Sequence, residues 1–390
     1  MSHFQLSAQL AGHDADVRAV AFPSPDTVFS ASRDRSVRRW QRTPAGSFDS
    51  HVAAEGTDYI NSITFVPPSA EYPEGLVVSG GRDTIIDVRK PSASKEDNAE
   101  RLLVGHAHNV CTLDVTPGGK YIVSGGWDAQ ARVWAVGKWE TEFTLTGHDV
   151  SVWAVLALDE NTIVTGSADK NIRIFDLRKG VAGEVQPSST IVTPDLVRAL
   201  CRLPEGHPSG ADIASASNDG VLRLWRLNGT LVAELRGHES FVYSLAVLPS
   251  GEIVSSAEDR TIRVWKGEEC VQTITHPAIS VWAVAACAET GDIVSGASDG
   301  VARVFSRNPE RAAAPDVVAA FEESVKASAI PQQQVGGVNK EKLPGPDFVQ
   351  NKAGTKEGQV QMIKEDNGSV SAYTWSMGMS SLPLLAFLSS

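Results

Sequence analysis

The sequence predicts an all-β fold: a seven-bladed β-propeller closed by its own N-terminal strand, followed by a linker and an incomplete small α+β domain. Three observations point there. One phrase recurs seven times along the first three quarters of the 390 residues. The apolar runs are short, with Gly and Pro scattered between them, as in many short strands joined by turns. A spare strand stands before the first repeat, and the last repeat lacks one.

The recurring phrase is a Ser or Thr, three residues, an Asp, then an apolar or basic strand that usually ends in an aromatic. The aspartates are Asp34, Asp83, Asp128, Asp169, Asp219, Asp259 and Asp299, spaced 49, 45, 41, 50, 40 and 40 residues apart. A hydroxyl stands four positions before each, from Ser30 to Ser295. Six positions after stand Trp40, Arg89, Trp134, Phe175, Trp225, Trp265 and Phe305, so only the second copy breaks the aromatic column. Upstream lie Gly-His pairs at His13, His106, His148 and His238, with Thr-His at His276; the second and fifth copies lack this histidine. Each repeat reads as one sheet that cannot bury both faces alone and must stack on its neighbours around a ring.

These residues resemble the WD-repeat family over residues 1–305. The resemblance implies a hydrogen-bonded His, Ser/Thr, Asp and Trp inside each blade, since four polar groups in an interior must satisfy one another. By residue match the complete tetrads are His13–Ser30–Asp34–Trp40, His106–Ser124–Asp128–Trp134 and His238–Ser255–Asp259–Trp265. Phe175 and Phe305 lack an indole N–H, so blades four and seven are expected to have shortened networks, and blade two to be the weakest. Phe4–Leu10 is expected to complete the last blade.

The net charge of -12 argues against a phosphate-backbone binder, so no nucleic-acid partner is expected. Residues 306–390 hold nine acids and eight bases, so almost all of that charge belongs to the propeller region, and a charge-steered partner should be basic. Cys111, Cys201, Cys270 and Cys287 form no CxxC pair, which points to reduced thiols and to the cytoplasm and nucleus. The apolar stretch Leu382–Leu388 is too short to span a bilayer, and no membrane partner is expected. A catalytic triad occurs once, whereas this His/Ser/Asp set recurs, so no enzyme, metal or cofactor is expected.

In an up-and-down blade the histidine and aspartate connections lie at one end, the top. The innermost strands begin Val17-Arg18-Ala19-Val20, Ile60-Asn61-Ser62-Ile63, Val110-Cys111-Thr112-Leu113, Val152-Trp153-Ala154-Val155, Val197-Arg198-Ala199-Leu200, Val242-Tyr243-Ser244-Leu245 and Val281-Trp282-Ala283-Val284. Position one is β-branched, position three small and position four apolar in all seven, while position two varies freely. A free column near the top is where a partner is read. The candidates are Arg18, Asn61, Trp153, Arg198, Tyr243 and Trp282, with Asp16, Tyr59 and Phe241 from the preceding column and Trp127 and Glu258 from the residue before the turn aspartate. The same side chains also fit a plain lining of the central channel.

After Phe305 the texture changes. Residues 306–340 are rich in Ala, Pro, Gln and charge. Val317, Val318, Phe321 and Val325 have the spacing of a short helix docked on the propeller; a solvated linker fits the same composition. In 341–390 the alternation Gln359–Lys364, a turn, and Val370–Trp375 read as a β-hairpin. This tail and phrases such as GHESFVYSL (237–245) and HPAISVWAV (276–284) resemble the family of phospholipase A-2-activating protein and the ubiquitin-fusion-degradation WD-repeat protein. The resemblance implies a ubiquitin-binding propeller, a second ubiquitin-binding domain and a helical-repeat domain that docks on the valosin-containing AAA ATPase. Only the first forty or so residues of the second part are recognisable and the third is absent, so docking on the ATPase is not expected of this polypeptide. The implied function is a non-enzymatic ubiquitin-binding adaptor in ubiquitin-dependent protein degradation and ubiquitin homeostasis. In it the aromatics meet ubiquitin's apolar patch, and Asp16 and Glu258 meet its basic surround. The alternative is a generic WD-repeat scaffold for another protein or peptide.

Overall fold

The computed structural model describes residues 3–181 and 183–328 and two short strands further on. The chain divides into compact units Met1–Ile330 and Pro331–Ser390. In the second, Ile363–Lys364 pairs antiparallel with Val370–Ser371, at the place of the expected hairpin. The rest of the expected domain at 341–390 lies outside the described residues.

The first unit is a seven-bladed propeller. Blade one is Val17–Ser24, Thr27–Ser32, Ser36–Arg42 and Phe48–Glu55 in antiparallel order, and six further sheets follow the same plan. The third gains Glu184–Val185 as a short parallel fifth strand. The second strand of each blade is walled by neighbouring sheets on both sides: Leu76–Gly81, Tyr121–Gly126 and Ile293–Ala297 are buried throughout. Such strands read as continuous apolar and small residues. Clusters such as Val254, Ile262, Val281 and Ile293 fill the seams between blades.

The ring closes as expected. Gln5–Ala11 pairs antiparallel with Val301–Ser306, so the chain's first strand is the outer strand of blade seven. Leu6 and Leu10 are buried. Phe4 is tied to blade six, where its N–H donates to Gln272 Oε1 at 2.8 Å and its carbonyl accepts from Gln272 Nε2 at 2.9 Å.

The aspartate column is first of all a turn device. In every blade an aspartate Oδ1 accepts the backbone N–H two residues on, at 2.8–3.3 Å, from Ser36 in blade one to Val301 in blade seven. The residue between sits in the left-handed region: Arg35, Thr84, Ala129, Lys170, Gly220, Arg260 and Gly300 all have positive φ. This Asx-type turn satisfies backbone that the hairpin would otherwise leave unpaired.

The second carboxylate oxygen meets histidine in four blades. His Nδ1 lies 2.8, 2.9, 2.8 and 2.7 Å from Asp34, Asp128, Asp169 and Asp259. His Nε2 lies 2.6–2.7 Å from the hydroxyl of Ser30, Ser124, Thr165 or Ser255. The indoles of Trp40, Trp134 and Trp265 donate to the same serines at 2.7–2.8 Å, completing the three expected tetrads. Burial opposes ionisation of Asp259, but the His238 bonds and the Thr261 hydroxyl overcome it and hold the carboxyl down near about 2.

Blades four, five and seven use an arginine that sequence reasoning missed. It stands four residues after the turn aspartate, a column visible in the sequence in every blade but the second, where Asp87 replaces it. In blade four Arg173 joins His148 and Asp169, so the network there is extended on one side while Phe175 removes the indole. In blade five, which has no histidine at the network position, Arg223 donates to Asp219 at 2.6 Å, Ser217 at 3.1 Å and Glu234 at 2.9 Å.

The compact unit runs past Phe305. After a short 3-10 turn at Pro309–Arg311, helix Pro315–Ala327 lies on blades six and seven. Phe321 packs on Phe305 and His276, with ring centroids 6.2 and 6.3 Å apart, and Val317 and Val325 join the same apolar cluster. Arg260 holds the helix end, donating to the carbonyl and the hydroxyl of Ser328, each at 2.6 Å.

Candidate interaction surface at the mouth of the channel

The innermost strands carry a bulge at one repeated place. Pairing between the first and second strands skips from Val17 to Ala19, Ile60 to Ser62, Val110 to Thr112, Val152 to Ala154, Val197 to Ala199, Val242 to Ser244 and Val281 to Ala283. The skipped residue is position two in all seven blades: Arg18, Asn61, Cys111, Trp153, Arg198, Tyr243 and Trp282. A bulge leaves its extra residue out of the ladder and re-aims its side chain. That is the physical reason why this column tolerates any residue type.

The bulge is tied to the turn above it. The N–H of Arg33 donates to the carbonyl of Asp16, Arg82 to Tyr59, Trp127 to Asn109 and Glu258 to Phe241, at 2.8–3.0 Å. The two outer columns picked from the sequence therefore stand side by side. At Gly81 a side chain cannot fit, because a Cβ there would lie 1.9 Å from the Tyr59 carbonyl.

The re-aimed side chains meet across blades. Arg18 lies over the Trp282 ring with its guanidinium carbon 3.7 Å from the centroid. Trp282 and Tyr243 have centroids 4.4 Å apart. Arg198 lies 4.0 Å over Trp153 and 5.6 Å from Tyr243. Asn61 donates to Asn109 Oδ1 at 2.9 Å, and the Cys111 thiol reaches the carbonyl of Val152 at 2.9 Å. Residues on adjacent inner strands thus join around one end of the channel, and Trp282 and Arg18 share that end. Arginine over an aromatic face is favourable, the more so when desolvated.

Charges of both signs stand at this mouth. The half-buried cations of the throat are Arg18 and Arg198, while the exposed Arg33 lies 5.9 Å from Tyr59 and 6.0 Å from Trp282, and the exposed Arg82 lies 5.7 Å from Tyr59. Asp16 pairs with Arg33 at 3.4 Å and Asp58 with Arg82 at 3.7 Å. Glu258 accepts from the Ser240 hydroxyl at 2.9 Å. Burial, with Arg33 adding repulsion, pulls the Arg18 guanidinium down to about 10. Burial, with Glu258 next, pushes the Tyr243 hydroxyl up to about 12. Exposed acids also stand at this end, Asp14, Asp149 and Glu239, each just after a histidine bonded to the turn aspartate, with exposed Arg35 and Lys170 in the neighbouring turns.

Exposure separates the chosen residues. Tyr59 and Trp127 are exposed at 42% and 56%. Trp153, Phe241, Tyr243 and Trp282 are half-buried, as are Asp16, Arg18, Asn61, Arg198 and Glu258. Two apolar residues that sequence reasoning passed over stand open beside them: Ile279 at 78% and Val150 at 44%. Each lies two residues before an inner strand, a column otherwise holding Ala15, Asp58, His108, Asp195 and Ser240, so an apolar residue there was the available signal.

The WD domain, G-beta repeat family matches residues 4–41, 99–135, 139–176, 187–226 and 229–266. The unmatched stretches hold blade two, without histidine or tryptophan, and blade seven, whose histidine does not reach its aspartate. The chain is 39% identical over 377 residues to ubiquitin homeostasis protein lub1 of Schizosaccharomyces pombe, covering 96% of this chain and 49% of that protein. It is 37% identical over 387 residues to phospholipase A-2-activating protein of Xenopus laevis, covering 97% of this chain and 46% of that protein. It therefore spans about half the length of these curated relatives. Among solved structures, the WD40 β-propeller domain of Doa1 superposes with a TM-score of 0.71 at 36% identity, covering 80% of this chain and 100% of that domain.

Proposed function

Because the chain belongs to the WD-repeat family of lub1, Doa1 and phospholipase A-2-activating protein, we propose that its propeller is a non-enzymatic ubiquitin-binding adaptor in ubiquitin-dependent protein degradation and ubiquitin homeostasis, with the mouth as its binding face. The observation that carries this reading is the open apolar rim. Tyr59, Trp127, Val150 and Ile279 are large apolar groups exposed around one end of the ring, flanked by Asp14, Asp149 and Glu239. An apolar patch with a basic surround, as ubiquitin has, matches both zones: aromatic and aliphatic anchors at the centre, opposite charge at the edge. A relative named for ubiquitin homeostasis agrees with the same partner.

The test is a titration of labelled ubiquitin with the full chain. Binding should weaken at least about tenfold, about 1.4 kcal/mol, on Tyr59→Ala with Ile279→Ser. Both residues are exposed, so the fold should hold. A dissociation constant unmoved by the double variant would remove the rim from the site, and absence of binding by the parent chain would favour a scaffold for another protein.

A further inference from the structure

The throat beneath the rim has two hydrogen-bond donors without a partner among the described residues. These are Arg18 Nη1 and Trp282 Nε1, both buried atoms. They belong to side chains stacked at 3.7 Å, and both residues keep part of their surface open. Among the described residues no carboxylate comes within ion-pair distance of Arg18: Asp16, the acid beside it, is engaged by Arg33 at 3.4 Å. Arg198 is in a similar position, bonded to the neutral amide of Asn218 at 2.7 Å. A protein with a net charge of -12 has thus placed two half-buried guanidinium groups, without an ion pair among the described residues, at its binding face. Orphaned buried donors and like charges held together are costly unless something else compensates them.

We propose that the throat is a carboxylate-binding site, in which Arg18 and the Trp282 indole take a carboxylate that a protein bound at the mouth sends into the channel. The carboxylate can belong to an acidic side chain or to a chain terminus. A guanidinium and an adjacent N–H are the donor set that a planar monoanion matches. A phosphate dianion fits less well, because Asp16 and Glu258 stand close by and repel the second charge. The proposal holds whichever protein the rim receives.

The experiment is fluorine NMR on the full chain labelled with 5-fluorotryptophan, the Trp282 signal being assigned by Trp282→Phe. N-acetylglycine stands for a chain terminus, N-acetylglutamate α-amide for an acidic side chain, and N-acetylglycinamide is the neutral control. Either carboxylate should shift the Trp282 signal saturably, the tighter one naming the source, while the amide leaves it in place. Arg18→Gln should weaken that binding at least about tenfold, with the Trp40, Trp134 and Trp265 signals unmoved as the check on the fold. Arg18→Lys, which keeps the charge and loses the fork, should weaken it severalfold and serves if the glutamine variant loses those signals. Equal shifts by acid and amide, inorganic phosphate binding more tightly than either carboxylate, or both arginine variants binding like the parent would overturn the proposal.

Discussion

His276 and Asp299 hold the histidine and aspartate places of blade seven and do not bond to one another. Asp299 is taken by Arg303, at 2.7 and 3.2 Å, and His276 has the Ser295 hydroxyl at 3.5 Å and, among the described residues, no partner for Nδ1. The reason lies one residue along. In the four His–Asp blades the residue after the histidine donates its backbone N–H to the aspartate, from Asp14, Ala107, Asp149 and Glu239. Blade seven has Pro277 there, which has no N–H to give. Without that donor the aspartate turns to arginine, and the imidazole is sealed instead beneath Phe305 and Phe321.

A pH dependence follows. Burial, with Arg303 and Arg260 adding repulsion, holds His276 well below its ordinary value. The folded state keeps it neutral while the unfolded chain takes up a proton near pH 6.5. Stability is therefore full above that value and declines as pH falls through it. The tetrad carboxyls are depressed in the fold, so their contribution is lost only below about pH 4. Burial raises the Asp114 carboxyl to about 6, which opposes this slope in both proteins, so from about pH 7.5 to 5 the thermal midpoint of the parent chain should fall relative to that of His276→Leu. Equal slopes would remove His276 as the source.

The serines of the networks should differ in cost. Ser255 Oγ accepts from Trp265 and meets His238 Nε2, so Ser255→Ala leaves two buried polar groups unpaired and should cost about 2–5 kcal/mol. Among the described residues Ser295 makes only long contacts, 3.5 Å to His276 and 3.4 Å to the Arg303 carbonyl, so Ser295→Ala should cost about 1 kcal/mol or less. Denaturant midpoints of the two variants at neutral pH decide it.

The ring was legible in the sequence because its repeats stack several columns at one spacing, and the first and last strands of Gln5–Ala11 and Val301–Ser306 complement each other. The mouth was legible only in part. Free variation at Arg18, Trp153 and Trp282 marks the bulge column, but nothing in a single chain says that these side chains stack on one another, because the contacts run between repeats about forty or more residues apart. Ile279 and Val150 escaped notice since the absence of a scaffold constraint looks like any loop residue. The pairings of Arg223 and Arg303 with the turn aspartates were hidden for another reason: arginine at that column reads as a solvated strand residue until the histidine is absent, as in blade five, or does not reach the aspartate, as in blade seven.

Helix Pro315–Ala327 should be separable from the ring. Its hold rests on Phe321, Val317, Val325 and the Arg260–Ser328 bonds, and the blade strands do not depend on it for backbone pairing. Phe321→Ala with Arg260→Ala should release it and open Lys326 to trypsin, while the propeller's main unfolding transition keeps its cooperativity. Continued protection of Lys326 would place the helix among the elements that fold with the ring.

The N-terminal strand should not be separable. Gln5–Ala11 supplies the outer edge of blade seven, and Phe4, Leu6 and Leu10 are each buried below 6% exposure. Three such side chains contribute about 1.5–3 kcal/mol apiece. With the lost ladder, their removal takes away most of the about 5–15 kcal/mol that holds a domain. Deleting residues 1–11 also bares Val301–Ser306 as an unpaired edge, a template for association. The truncated chain should therefore lose its cooperative melt and aggregate, whereas Leu6→Ala with Leu10→Ala, which keeps the backbone ladder, should lower the midpoint and stay soluble. Calorimetry and light scattering on the three proteins distinguish these outcomes, and a deletion that melts like the parent would mean that the ring closes without this strand.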